Sequence, residues 1–312
     1  MQIYRNAISA GVRASLAFIA ALAMSLTFVA ATPAAAATLD RIRETGHIKL
    51  GYLADARPFA FKTEAGGADG YSIALCTRIA GAVQKQLGGA PLTVDWVPVA
   101  FGNRLRAVQE GSIDLLCAPT SVTLARRAEV SFSIPTFPGG TRAVVRADAA
   151  PSLRDALADT TTSRVVWRGS PAAKTLSSTS VAVVTGTTTA DWLASRIASL
   201  EIGAKSVPVP DYKTGLQLLR DDKVDLFFGD RALVLGAMDR TNSTDLVVLD
   251  RLFTREPLAL ALVRNDADFR LLVDRTLSQL YSSAEFRELY TKWFGELNDN
   301  TRSFFLWNVV PQ

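Results

Sequence analysis

The chain has 312 residues, 48% hydrophobic and 21% charged, an ordinary globular composition with enough apolar mass for one large domain or two modest ones. Its formal charge of +4 is small and its basic residues are spread along the chain, so nothing argues for a nucleic-acid partner. A single histidine and two cysteines form no metal-ligand cluster, and neither a metal nor a cofactor is expected.

The segment from Met1 to Ala37 reads as an export signal. Arg5 and Arg13 precede an uncharged stretch, Ala14 to Ala37, which is most apolar from Leu16 to Ala31 and closes on Pro33-Ala34-Ala35-Ala36-Ala37. A basic start, an apolar core and a small-residue site fit a signal peptide cut after Ala36 or Ala37. The competing possibility is an uncleaved anchor, for which this apolar core is short against a span of about 20 residues. No cysteine stands at the cleavage site, so no lipid anchor is expected. Cys76 and Cys117, an even pair in an exported chain, suggest one disulfide; two separate buried thiols are the alternative.

After a short lead-in, Thr38 to Thr45, His47 to Tyr52 alternates as a first strand. Ile73, Cys76, Ala80, Val83 and Leu87 recur at helical spacing, and Leu92 to Val99 is a second strand. Leu105 and Val108 share a helical face that Gly111 ends, and the apolar run Ile113 to Cys117 predicts a strand covered on both sides. Arg142 to Asp148 is another strand. Strand–helix–strand order implies a parallel sheet with helices on its faces. Ala149 to Ser180, rich in Ser, Thr and Ala, reads as a surface excursion in which Trp167 packs on its lobe.

From Val181 the pattern restarts with a strand, the polar turn Gly186-Thr187-Thr188-Thr189 and a helix. A further strand and the run from Thr214 to Leu235 follow, as helix, strand, turn and helix. That run weakly repeats the earlier one: Leu105, Val108, Ile113, Asp114 and Leu115 match Leu216, Leu219, Val224, Asp225 and Leu226. Leu246 to Val263 runs as strands, and Ala267 to Phe294 is helical with a break near Tyr281-Ser282-Ser283. Leu271, Leu277, Leu280, Phe286, Leu289 and Trp293 suit burial there, and the tail is expected to pack through Phe304, Phe305 and Trp307.

The run from Arg104 to Ser133, RLRAVQEGSIDLLCAPTSVTLARRAEVSFS, resembles the polar amino-acid-binding family of periplasmic solute-binding proteins, the receptors of ABC importers. IKLGYLADARPFAF near the start and LSQLYSSAEFRELYTKWFG near the end are similar to the same family, so the resemblance covers nearly all of the chain after Ala37. It implies a two-lobed α/β fold of type II, with two hinge strands and the ligand in the cleft between lobes. Lobe one would be 38–143 and 255–312; lobe two would be 144–254, with the excursion at about 149–180. It also implies a monomer in the periplasm, partnered by a membrane permease, and no enzyme activity.

Residue by residue, the resemblance places Arg126, rather than Arg127, on the α-carboxylate of an amino acid, with Ser121 and Thr188 beside it. Asp230 would take the α-ammonium and Phe101 would line the side-chain pocket. Asp55 falls in the first loop on the ligand side. Each has a plainer role open to it: helix caps for Thr188, Thr189 and Asp230, core for Phe101, a surface position for Arg126. Arg104 and the two cysteines are similar to the acidic-amino-acid branch, where an arginine at Arg104 meets a distal carboxylate. A second arginine of that branch falls at Leu53, leaving Arg231 as a substitute. Glutamate or aspartate is the expected ligand. The rival functions are a secreted cyclohexadienyl or arogenate dehydratase on the same fold, and a ligand-sensing module for a membrane partner. Such dehydratases want an acid after the Gly-Thr turn, where this chain has Thr189 and Ala190, with Asp191 one place off.

Overall fold

Two sheets organise the protein, and the chain crosses between them twice. The structure is a computed structural model that describes residues 38–158, 169–239 and 244–311. The expected signal segment and Trp167 lie outside these residues.

The first sheet has the order β5-β1-β6-β14-β7, with β8 also on β14. Here β1 is His47–Tyr52, β5 Thr93–Pro98, β6 Leu115–Ser121, β7 Ser131–Phe132, β8 Phe137–Gly139 and β14 Glu256–Leu262. Strands β5, β1 and β6 run parallel, and β14 is antiparallel to β6. The second sheet has the order β11-β10-β12-β9-β13. These strands are β9 Thr141–Arg146, β10 Ser180–Val184, β11 Lys205–Val209, β12 Leu226–Asp230 and β13 Leu246–Val248. A small three-stranded sheet, β2 Asp55–Ala56, β3 Ala60–Lys62 and β4 Ala68–Asp69, lies in the first lobe.

Strands as apolar as LLCAP and LFFG are stable only when covered on both faces, and helices supply the cover. Helix α2, Tyr71–Gln86, follows α1, Thr38–Thr45, and buries Ile73, Cys76, Ile79, Ala80 and Val83. Cys76 is disulfide-bonded to Cys117 on β6, Cα to Cα 6.1 Å, so the helix is covalently fixed to the sheet it covers. The lead-in is itself a helix, because Asp266 accepts from the Thr38 amide at 2.8 Å and Ile42 is buried.

Two expectations near the C-terminus fail. Phe305 is buried, but Trp307 is 88% exposed and Leu271 56% exposed, each on the outer face of its helix. The break after Tyr281 is present: one helix ends there and the next begins at Ala284. The excursion contains two short helices, Pro151–Leu157 and Pro171–Ser177, seated through Leu153, Leu157 and Ala173. Among the described residues no helix is long and apolar enough to cross a membrane.

The crossings lie at Gly139-Gly140-Thr141 and Thr254-Arg255-Glu256. They touch: a Cβ on Gly140 would sit 2.4 Å from the Thr254 carbonyl oxygen, so no larger residue fits between them. Thr141 to Ala143 run in the second sheet, so the first crossing ends at Thr141.

Candidate functional site

The carboxyl ends of the parallel strands in both sheets face one another, the position where open α/β sheets hold ligands. Strand β6 ends at Ser121. Thr123 then accepts from the Arg126 amide at 3.1 Å and caps the short helix α4, Leu124–Arg127. That cap turns Arg126 back over the strand end. Its guanidinium donates to the Ser121 carbonyl at 2.9 Å and, across the cleft, to the Gly186 carbonyl at 3.3 Å. Arg127 faces another hollow, beside Arg264 and Arg270.

Arg104 opens helix α3, Arg104–Gln109, and is 5% exposed. Its guanidinium lies 3.8 Å from the Phe101 ring centre, donates to the Phe101 carbonyl, and reaches the Gly186 carbonyl at 3.4 Å. Among the described residues no carboxylate pairs with it directly, and its Nε is buried without a hydrogen-bond partner. Burial, aided by the neighbouring Arg126 charge, pushes the guanidinium down to about 10. Burial lowers Arg126 too, against the favourable fields of Glu256, Asp191 and Glu129.

In the second lobe β10 leads into the threonine turn and helix α7, Thr188–Leu200, the seventh helix after the two of the excursion. The cap is Thr187, not Thr188 or Thr189: its hydroxyl accepts from the Ala190 amide at 3.1 Å. Thr188 is therefore available to the cleft. Its hydroxyl reaches Ser121 Oγ at 3.4 Å and donates to the Glu256 carboxylate. Thr189 is buried, its hydroxyl 2.8 Å from that of Thr141.

Asp230 ends β12 and starts helix α9, Arg231–Asp239, which follows α8, Tyr212–Arg220. One carboxylate oxygen accepts from the Ala232 amide at 2.9 Å and so caps α9; the other accepts from the hinge amide of Gly140 at 2.8 Å. Of the two roles weighed from the sequence the structure shows the helix cap, and the same side chain also lines the cavity between the lobes. Burial pushes the carboxyl up to about 6; the Gly140, Ala232 and Leu233 amides oppose the shift and the Glu256 charge adds to it.

Phe101, Arg104, Ser121, Arg126, Thr188 and Asp230 all line a single cavity, together with Thr141, Tyr212, Leu233 and Glu256. Asp55 does not: it borders a neighbouring hollow with Arg57, Lys213 and Gly236, which shares Tyr212 and Leu233 with the cavity. Arg231 is exposed and turns toward Tyr290 and Asn298, so it does not stand in for the arginine missing at Leu53. His47, 2.9 Å from Asp95, sits at the amino end of β1, away from the cleft. The cavity encloses about 30 Å³, room for roughly two waters at about 15 Å³ each.

Among the lining residues that escaped the sequence, Glu256 and Tyr212 carry ionisable groups. Glu256 accepts from Thr254 at 2.8 Å and from Thr188, and the Thr254 hydroxyl lies 2.9 Å from that of Thr141, so the carboxylate ends a threonine chain joining both crossings to α7. Its one signal is an acid opening an otherwise apolar strand. Tyr212, whose hydroxyl accepts from the Asp230 amide at 3.4 Å, has its phenol raised by burial and by Asp230. As an aromatic after a helix cap, it reads as core.

Comparison with known proteins agrees with this geometry. The family model for bacterial extracellular solute-binding proteins, family 3, matches residues 48–296. The chain belongs to that family. It is 29% identical to the L-glutamate/L-aspartate-binding protein of Pseudomonas aeruginosa over 82% of this chain and 80% of that one. It is 26% identical to the glutamate/aspartate import solute-binding protein of Salmonella typhimurium, covering 84% and 81%. The crystal structure of an ancestral amino acid-binding protein, a precursor of cyclohexadienyl dehydratase, superimposes with a TM-score of 0.67 at 25% identity, covering 83% of this chain and all of the other. Cyclohexadienyl dehydratase of Pseudomonas aeruginosa matches only in part: 31% identity over 38% of this chain and 41% of the enzyme. The fold of this family member is accordingly the two-lobed type II fold that its sequence resembles.

Proposed function

We propose that this family member captures a polar amino acid in the cleft, outside the cytoplasm, and delivers it to the permease of an ABC importer. The observation that carries this is one cavity in which two arginines of the first lobe face an aspartate and a helix N-terminus of the second. Arg126, Ser121 and Thr188 hold the α-carboxylate, because a guanidinium fork and two hydroxyls converge there. The start of α7 adds partial positive charge. Asp230 takes the α-ammonium, and the counter-charge also relieves the burial of its carboxylate. Phe101 and Arg104 face the ligand side chain, and a buried guanidinium with no direct carboxylate partner among the described residues favours glutamate or aspartate.

An amino acid needs more room than the cavity offers, so entry parts the contacts of Thr188 and Gly186 with the first lobe. The lobes turn about Gly139-Gly140-Thr141 and Thr254-Arg255-Glu256, with 141–254 moving as lobe two.

Calorimetry of the mature protein against glutamate, aspartate, glutamine and arginine tests this role, with prephenate and arogenate assayed for turnover. Binding of glutamate or aspartate without product is the expected result. Turnover of a dehydratase substrate would make the protein an enzyme, a role its Thr189-Ala190 sequence and exposed Asp191 do not favour. Binding of no amino acid would discard the receptor role.

A further inference from the structure

Glu256 is not among the residues that the family resemblance assigns to the ligand, yet its carboxylate lies inside the proposed α-carboxylate site. It accepts from Thr188 and Thr254, and its field acts on Arg126, Asp230 and Tyr212. Among the described residues the charged groups on the cavity wall are two cations, Arg104 and Arg126, and two anions, Asp230 and Glu256. Asp191 and Glu129 also act on Arg126, but they are exposed and screened by water. Arg255, next to Glu256, is exposed as well.

This balance has a consequence for the ligand. A zwitterion with an uncharged side chain, such as glutamine, adds no net charge and leaves the buried site neutral. A dicarboxylic amino acid adds one negative charge to a site that already holds two carboxylates. Uncompensated charge in a desolvated site is costly, and such sites take up or lose protons instead. The raised carboxyl of Asp230 shows that this wall already favours protonation.

We infer that Glu256 is a specificity-determining residue: its carboxylate sets the net charge that the cleft accepts, admitting a neutral zwitterion directly and a dicarboxylic amino acid only together with a proton. The inference rests on the receptor role proposed above. It makes capture of an acidic amino acid, relative to a neutral one, tighter in acid surroundings and slacker in alkaline ones.

The test is calorimetry of the mature wild-type protein and of Glu256→Gln with L-glutamate and L-glutamine at about pH 6 and about pH 8, in paired buffers of different ionisation enthalpy that count protons. At about pH 8 wild type should take up close to one proton with glutamate and none with glutamine. Its glutamate affinity should rise up to about tenfold for each unit of pH lowered. In E256Q the uptake should vanish. The glutamate-to-glutamine affinity ratio at about pH 8 should then rise by about tenfold or more, since the variant removes the excess negative charge. A merely structural role for Glu256 would weaken both ligands alike and leave the proton count unchanged. Glutamate binding by wild type with no proton uptake overturns this inference and leaves the receptor role standing. Absence of binding by either ligand to either protein overturns both.

Discussion

The two lobes contain the same helix–turn–strand unit and arm it oppositely. In the first lobe Val108 and Ile113 are buried ahead of Leu115; in the second Leu219 and Val224 are buried ahead of Leu226. The aspartate between them does one job twice. Asp114 accepts from the Lys49 amide of β1 at 2.8 Å, and Asp225 accepts from the Ser180 amide of β10 at 2.6 Å. Each carboxylate therefore ties its own strand to the neighbouring parallel strand. The 111-residue repeat visible in the sequence is thus a repeat of hydrogen bonding as well as of apolar spacing. Beyond the strand the units part company. The first ends in Ser121 and, through its threonine cap, Arg126; the second ends in Asp230, itself the cap. Shared scaffolding with opposite charge at its tip is what a zwitterion requires.

The largest effect should come from removing the charge at one tip. Arg126→Ala should cost about 2–5 kcal/mol of ligand binding, since the carboxylate loses its charge-assisted pair. Wild-type affinity by calorimetry would remove Arg126 from the site. The opposite tip should announce itself through pH. The Asp230 carboxyl is raised from 3.8 to about 6, so it contributes stability below pH 3.8 that is lost as pH rises through about 6. Asp230→Asn lacks this loss. Its unfolding free energy relative to wild type should therefore climb by on the order of 2–3 kcal/mol between about pH 4 and about pH 7. A flat difference in urea titrations would show that the ammonium site is not strained.

The shared part of the unit predicts equal damage. Asp114→Ala and Asp225→Ala each strand a backbone amide, and each should lose about 1–3 kcal/mol of stability in chemical denaturation. A loss confined to one would break the equivalence of the halves. The smallest effect concerns the meeting of the lobes. Gly236 on α9 faces the first lobe so closely that a Cβ would lie 2.3 Å from the Arg57 carbonyl oxygen. Gly236→Ala should leave stability unchanged or raise it, because alanine favours a helix by about 1 kcal/mol. It should weaken ligand binding by about tenfold, or about 1.4 kcal/mol, by hindering approach of the lobes. Equal affinity would mean that α9 does not close on Arg57 when ligand binds.

Much of this protein is decided locally. Apolar periodicity gives the strands and helices, because a run such as LLCAP has nowhere to go but a doubly covered sheet. Glycine after Val108 and threonine before Arg126 set the turns that aim the cleft residues. Short polar signatures accordingly picked out Ser121, Arg126, Thr188 and Asp230. Tertiary structure alone decided the rest. Glu256 and Tyr212 line the cavity, and Asp55 and Arg231 do not, because strand order and lobe approach bring together residues far apart in the chain. Thr187 rather than its neighbours caps α7, because the backbone leaves the extended conformation at that residue. Helical spacing shows that one face of the last helices is buried, but not where that face ends, so Leu271 and Trp307 come out exposed. Which charges balance inside the cleft is the sum of both lobes and the crossing between them, and no single stretch of sequence contains that sum.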